Sequence, residues 1–196
     1  MVLIPSDPYQ YYRFNLHNLI IMKVINLFGG PGVGKSTVAA DLFAMMKREG
    51  YNVELVNEYA KEVTWEGHFS YLDDEFYVLA HQNRRLVRLK DKVDYVITDS
   101  PILLGLAYTP PDYYPHYFNK FIHEVWNSYD NINIVLQREH SGYIEAGRNQ
   151  KYEEALTKDR AMIDLLDENG NRYFTTIVDR TTKYEILEYV KHGDKK

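Results

Sequence analysis

Apolar residues occur along this chain in two patterns that alternate from end to end. The run MKVINLF at 22–28 has the length and apolar character of a buried strand. In the next segment Val38, Leu42 and Met45 recur at helical spacing, and Gly50 follows as a stop signal. The same two patterns predict further strands at 52–57, 93–98, 132–136 and 173–178. They predict helices at 36–49, 72–90, 117–128, 151–168 and 182–191.

This alternation of strands and helices indicates an α/β fold with three layers, in which a five-stranded parallel sheet carries helices on both faces. Residues 22–196 contain no internal repeat and no linker long enough to divide them, so we expect one domain. Residues 1–21 combine prolines and tyrosines without periodicity. We expect them to be an N-terminal extension that is disordered or that precedes the true start at Met22.

The clearest chemical signal follows the first predicted strand and fits the pattern G-x-x-x-x-G-K-[ST]. Its members are Gly29, Gly30, Pro31, Gly32, Val33, Gly34, Lys35 and Ser36. Glycines let successive backbone N–H groups turn towards phosphate oxygens, and the helix that begins here adds its positive dipole end. We expect Lys35 to contact the β- and γ-phosphates, Ser36 to bind Mg²⁺, and Thr37 to contact the inner phosphate.

Composition narrows the classes of function. The 196 residues include 23 Lys and Arg against 28 Asp and Glu, a formal net charge of −5. Coating a nucleic-acid backbone needs a cationic surplus, so that class is disfavoured, although a local basic groove stays open. The sequence has no cysteine, which excludes disulfides and thiol nucleophiles. No apolar stretch has the length of a membrane span and the first residues lack a cationic secretory start, so we expect a cytoplasmic protein.

Two large classes of nucleotide-binding proteins lack support in the sequence. Regulatory GTPases read guanine with Asn-Lys-x-Asp, and the nearest candidate, Asn119-Lys120, is not followed by that aspartate. Oligomeric AAA+ motors usually carry an additional helical domain, for which this chain is too short. The class that remains is a small phosphoryl-transfer enzyme, in which positioned charges hold the γ-phosphate for attack by an acceptor.

Four motifs together resemble the nicotinamide riboside kinase-like branch of small P-loop kinases. They are GGPGVGKST at 29–37, NEYAKE at 57–62, TDSP at 98–101 and AGRNQ at 146–150. That branch is often labelled as an AAA-type ATPase, is frequent among phage genes and is related to the deoxynucleoside kinases. The resemblance covers most of 22–190 and implies the P-loop NTPase fold. It does not identify the acceptor.

Two carboxylates stand where predicted strands end, Glu58 after the second and Asp99 after the third. The carboxyl ends of parallel strands face the ligand crevice, so both side chains are expected beside the phosphate loop. The resemblance implies that Glu58 is the catalytic base and that Asp99 binds the metal or the substrate, with the two roles exchangeable. The alternatives are a solvated acid for Glu58 and a turn or helix-cap residue for Asp99.

One arginine is a candidate for the transferred phosphoryl group. Arg148 lies in the polar segment 139–150, where kinases of this shape close a lid whose arginines offset developing charge. Arg138 and Arg160 are further candidates. The alternative for each is a surface ion pair, which is common and energetically slight.

The acceptor side has three candidates. Gln82 and Arg84 lie on the helix before the third strand, and the related deoxynucleoside kinases bind the base with a Gln on a comparable helix. The alternative is a polar helix surface. Tyr113 belongs to the aromatic segment 108–118, and its ring can stack on a base or a nicotinamide ring. The alternatives there are a loop packed over the core and a subunit contact.

The sequence therefore predicts an enzyme that uses ATP and Mg²⁺ to phosphorylate a nucleoside, a nucleotide or nicotinamide riboside. Two other functions stay open. One is a kinase of a hydroxymethylated base in DNA, which the acidic net charge disfavours. The other is an ATP-dependent regulatory switch without an acceptor.

Overall fold

The computed structural model describes residues 22–114, 117–138 and 152–192, and gives no side-chain environment for 152–155. Its centre is a parallel sheet of five strands in the order β2-β3-β1-β4-β5. The strands are β1 Lys23–Phe28, β2 Val53–Val56, β3 Tyr95–Thr98, β4 Asp130–Gln137 and β5 Tyr173–Ile177. The predicted α/β fold with a five-stranded parallel sheet is confirmed.

Seven helices of the described residues connect and flank these strands. They are α1 Lys35–Arg48, α2 Tyr59–Glu66, α3 Glu75–Val87, α4 Gly105–Tyr108, α5 Phe118–Asn127, α6 Tyr152–Glu168 and α7 Thr182–His192. Two short 3₁₀ segments, Phe69–Asp73 and Ile102–Leu104, lie before α3 and α4. No helix in the described part of the chain has both the length and the apolar character that crossing a membrane requires.

Each face of the sheet has its own apolar core. On one face, Ile25 and Leu27 of β1 join the buried sides of α1 and α7. On the other, Val24 and Phe28 join buried residues of α3, α5 and α6. Alternate residues of a strand point to opposite faces, so a nearly continuous apolar run is what a strand covered on both sides needs. The result is the predicted three-layer arrangement.

The register of the strands determines where the predicted site residues meet. Asn26 of β1 is opposite Thr98 of β3, and Thr98 is opposite Val56 of β2. The three strands consequently end at the same edge of the sheet. The phosphate loop, Asp99 and Glu58 all follow within a few residues of these ends.

Helix α2 was not expected from the sequence. It is eight residues long and buries only Val63, so it lacks the repeated apolar spacing that identifies longer helices. The next helix was predicted from residue 72, whereas α3 begins at Glu75. The Asp74 side chain accepts a hydrogen bond from the Tyr77 N–H at 3.1 Å and caps the helix there. The remaining predicted elements agree with the observed ones within about two residues at most ends.

Candidate active site

The residues between β1 and α1 form the loop for which the sequence predicts phosphate binding. Gly29 has φ = 147° and Gly34 has φ = 105°, backbone conformations that side-chain-bearing residues rarely adopt. A Cβ added to Gly29 would lie 2.8 Å from Val33 Cγ1 and 3.0 Å from the carbonyl oxygen of Leu136. The local geometry therefore favours glycine at positions 29 and 34 of the motif.

Lys35 is the first residue of α1, and its side chain turns back over the loop. Its Nζ donates to the carbonyl oxygens of Gly29 at 2.6 Å and Gly30 at 3.2 Å. Burial lowers the pKa of Lys35, and the carboxylates of Glu58 and Asp99 oppose that shift. The ammonium group is held at the loop, where the sequence predicts phosphate binding.

Ser36 and Asp99 meet across the edge of the sheet. The Ser36 Oγ donates to Asp99 Oδ2 at 2.6 Å, and the Glu58 N–H donates to Asp99 Oδ1 at 3.1 Å. Asp99 is only 4% exposed, so its position is set by these contacts. A hydroxyl and a carboxylate oxygen side by side are the hard ligands that Mg²⁺ prefers, and the metal keeps its remaining positions for water and phosphate oxygens. The residues present fit the predicted Mg²⁺ ligands.

Glu58 lies between the end of β2 and the start of α2, where it is half-buried. Burial raises the pKa of its carboxyl group, Lys35 opposes the shift, and Asp99 adds to it. Within the described residues its carboxylate makes no hydrogen bond, although its backbone N–H is held by Asp99. The side chain is thus available to accept a proton from a bound molecule.

A cavity of about 330 Å³ opens beside these groups. Its polar and charged lining residues include Lys35, Glu58, Asp99 and Ser100, together with Glu75 and Gln82 of α3. The remaining lining residues are apolar or aromatic for the most part: Ala60, Leu72, Val78, Leu79, Pro101, Ile102, Leu104, Gly105, Tyr108 and Phe118. A mostly apolar cavity with a few converging polar groups is typical of small-molecule sites.

Of the three residues predicted to bind the acceptor, Gln82 lines the cavity and Arg84 and Tyr113 do not. Gln82 lines the cavity and is buried. Its side chain accepts a hydrogen bond from the Tyr59 N–H at 2.9 Å and donates one to the Ser100 carbonyl oxygen at 3.2 Å. These bonds tie the start of α2 to the end of β3. Arg84 is exposed and does not line the cavity.

Tyr113 also lies outside the cavity lining. Its ring packs against Phe76 and Phe118, and its hydroxyl donates to Asp74 Oδ1 at 3.0 Å. Thr37, in the first turn of α1, is exposed. Arg148 lies outside the described residues, as does the N-terminal extension 1–21.

Two charged residues at the site, Glu75 and Asp159, were not predicted from the sequence. Glu75 lines the cavity, and Asp159 of α6 accepts a hydrogen bond from the Gly30 N–H at 2.6 Å. Neither belongs to a motif, because each reaches the site through the packing of a helix distant in sequence. For Glu75, burial is the main cause that raises the pKa. No group of three or more metal-ligating side chains occurs in the part of the chain that the structure covers.

Solved structures share this fold. Thymidylate kinase from Ehrlichia chaffeensis is similar with a TM-score of 0.56 and 17% identity, over 86% of this chain and 98% of that one. NadR protein in complex with NR gives 0.58 and 18%, over 81% of this chain but only 44% of NadR. NadR protein in complex with NAD and AMP-PNP gives 0.55 and 17%, over 87% and 49%. At these identities the likeness establishes a P-loop kinase-like fold.

No curated protein matches the sequence. A family match, in contrast, extends from the second residue of β1 to the start of α7 and includes the phosphate loop, Glu58, Asp99 and the cavity. Since residues 24–183 match, the chain belongs to the AAA domain family.

Proposed function

We propose that the protein is a kinase that uses ATP and Mg²⁺ to phosphorylate a hydroxyl group of a small nucleoside-like molecule. The observation that carries this proposal is the cavity into which Lys35, Glu58 and Asp99 all project. A phosphate loop alone is compatible with hydrolysis or switching, whereas a kinase also needs an enclosed acceptor site with a base at its edge.

Each group has a role in the proposed transfer. The loop amides and Lys35 bind the triphosphate, and Ser36 and Asp99 hold Mg²⁺, which when bound offsets the negative charge of the phosphates. Glu58 takes the proton of the acceptor hydroxyl as that oxygen forms its bond to the γ-phosphorus. The bond from the γ-phosphorus to the β–γ bridging oxygen breaks, and ADP leaves. By resemblance, Arg148 is proposed to offset charge on the transferred group.

The charges of the cavity favour one kind of acceptor. Its lining includes three carboxylates, Glu58, Glu75 and Asp99, against the single ammonium of Lys35, counted over the described residues. A monophosphate bound there would face like charges with no cation beyond the one that serves ATP. We therefore propose an acceptor that is uncharged or cationic, such as a nucleoside or nicotinamide riboside, in preference to a nucleotide.

The proposal is tested by incubating the protein with ATP labelled at the γ-phosphate and a panel of acceptors. The panel contains nucleosides, their 5′-monophosphates, nicotinamide riboside and DNA with hydroxymethylated bases. We expect label in a non-phosphorylated small molecule, and loss of that product in Lys35→Ala and Asp99→Asn. Lys47→Ala is the matched control, because Lys47 is an exposed residue of the same helix that pairs with Glu54.

Other outcomes point elsewhere. Label in a nucleoside monophosphate would contradict the proposal that the acceptor is uncharged or cationic. Label in the DNA would support a kinase that phosphorylates hydroxymethylated bases in DNA. ATP hydrolysis that no acceptor accelerates would support a regulatory switch. Absence of ATP binding at millimolar concentration would refute the whole proposal.

A further inference from the structure

Two side chains bind the backbone of the phosphate loop. They are Asp159 of α6 and Arg138, which follows the end of β4. Asp159 Oδ1 accepts from the Gly30 N–H at 2.6 Å. Arg138 donates from Nε to Asp159 Oδ2 at 2.6 Å and from Nη2 to Asp159 Oδ1 at 3.1 Å. The same Nη2 donates to the Pro31 carbonyl oxygen at 2.9 Å. We call this set of contacts the Arg138–Asp159 clamp.

Asp159 and Lys35 bind opposite ends of one peptide group of the loop. The described residues contain no cis peptide bond, so the carbonyl of Gly29 and the N–H of Gly30 belong to one trans peptide group and point in opposite directions. The Gly29 carbonyl points to the Lys35 ammonium, 2.6 Å away. The Gly30 N–H must then point away from Lys35, which is where Asp159 accepts it. Asp159 consequently holds the Gly30 peptide group on the side opposite the Lys35 ammonium.

The neighbouring peptide group is held in the same manner. Arg138 binds the Pro31 carbonyl, which directs the N–H of Gly32 away from Arg138. Peptide groups flanked by glycines rotate easily, so the orientation of the Gly29–Gly30 group depends on such contacts. The clamp therefore sets the direction in which two peptide groups of the loop face.

The clamp has the burial and geometry of a strong interaction. The side chains of Arg138 and Asp159 are 9% and 18% exposed, and Arg138 meets the carboxylate through two of its nitrogens. Hydrogen bonds between ionised partners in this fork arrangement are stronger than neutral ones and fix orientation. Because the two charges compensate each other, the clamp adds no net charge beside the triphosphate.

We infer that Asp159 is a positioning residue which, with Arg138, holds the phosphate loop in its ATP-binding conformation. The inference rests on the proposed function only in taking ATP as the ligand of the loop. It also makes α6 part of the ATP site, because any displacement of this helix moves Asp159 and releases the Gly30 peptide group.

The test is calorimetric titration of the full chain with ATP and Mg²⁺, which needs no acceptor. We expect Asp159→Ala to raise the Kd for ATP by about 10-fold or more, since a charge-assisted hydrogen bond commonly changes an equilibrium by that factor. Asp159→Asn keeps an oxygen that can accept from Gly30, and should give a smaller rise of about 2- to 5-fold. Asp164→Ala is the matched control, because Asp164 is an exposed residue of the same helix.

Kinetics separate positioning from a general structural effect. The KM for ATP should rise in parallel with its Kd, while the KM for the acceptor stays within about 2-fold of wild type. If Asp159→Ala does not fold, Asp159→Asn alone decides the question. A Kd for ATP equal to that of the Asp164→Ala control, or tighter than wild type, would overturn the inference. Failure of the wild-type protein to bind ATP would instead refute the proposed function.

Discussion

Glu58 and Asp99 are neighbouring carboxylates in different environments, and the roles proposed for them rest on that difference. Asp99 is buried and already accepts hydrogen bonds from Ser36 and from the Glu58 N–H. Glu58 is half-buried, and no hydrogen bond within the described residues occupies its carboxylate. Its pKa is raised by burial, with Asp99 adding to the shift and Lys35 opposing it. These environments favour Asp99 as the ligand and Glu58 as the proton acceptor, the assignment that the sequence left exchangeable.

Replacing Glu58 by Gln should lower kcat by about 100-fold or more, since general-base catalysis typically contributes that much. In the wild type, kcat should fall with decreasing pH at values above the ordinary range of a glutamate, because the pKa of Glu58 is raised. The measurement is a pH profile of kcat for both proteins. Glu54→Gln on β2, an exposed residue paired with Lys47, should leave the profile unchanged. Wild-type kcat in Glu58→Gln would exclude Glu58 as the base.

The same substitution should stabilise the folded protein at neutral pH. A carboxyl group whose pKa is higher in the folded state than in the unfolded chain binds its proton more tightly when folded, so its charged form destabilises the fold. The stability gained by Glu58→Gln should therefore be present at pH 7 and vanish below about pH 4, where the unfolded chain is also protonated. Urea unfolding at both pH values measures it. A gain in the free energy of unfolding that persists at low pH would mean that the raised pKa of Glu58 is not its cause.

Among the elements, β1 carries an unusual interior residue. Asn26 is 1% exposed, and its Nδ2 donates to Asn131 Oδ1 at 3.0 Å and to Asn133 Oδ1 at 3.3 Å on β4. Asn133 in turn donates to the Arg172 carbonyl oxygen at 3.0 Å, just before β5. A connected row of carboxamides thus joins β1 to β4 on one face of the sheet and reaches the backbone just before β5. Such a network is stabilising when every member is satisfied and costly when one is lost.

Asn26→Ala should lower the free energy of unfolding by about 1–3 kcal/mol, because it leaves the buried Asn133 oxygen without its donor. Equilibrium unfolding in urea measures the loss as a lower midpoint with unchanged slope. Asn52→Ala is the control, since Asn52 is exposed and donates to the Lys92 carbonyl oxygen at 3.0 Å. Equal losses in the two variants would argue against a special role for the buried row.

For the molecule as a whole, ligand binding and stability are linked. The loop, Asp99 and Glu58 follow three adjacent strands of the sheet, so a ligand that joins them binds the folded chain and not the unfolded one. At 100 times its Kd, ATP with Mg²⁺ should add about 2.7 kcal/mol. For a domain of this size that corresponds to a rise in Tm of roughly 5–10 °C.

Thermal melting with and without ATP and Mg²⁺ tests this linkage. The wild type and Lys47→Ala should show the full rise, and Lys35→Ala should lose most of it, because Lys35 belongs to the loop and Lys47 does not. An equal rise in Lys35→Ala would mean that ATP stabilises the protein from another site.

Local patterns in the sequence were sufficient to predict most secondary-structure elements and the phosphate loop. Apolar runs of strand length, helical spacings and glycine stops predicted the five strands and most helices, because burial on both faces of a parallel sheet leaves a periodic signature. The loop could be predicted equally well, because Gly29 and Gly34 adopt backbone conformations that glycine favours and that are set locally along the chain. Glu58 and Asp99 followed from the rule that parallel strands end at one edge.

The features that the sequence did not predict depend on tertiary packing. Helix α2 buries too little for a periodic signal, and Gln82 and Arg84, two residues apart on one helix, separated into a cavity wall and an exposed surface. Glu75 and Asp159 reached the site from helices whose placement no motif encodes. Local sequence determines which backbone conformations a segment can adopt, and this fixed the strands and the loop. Which distant side chains share one cavity depends on how the helices pack against the sheet, a property of the entire core.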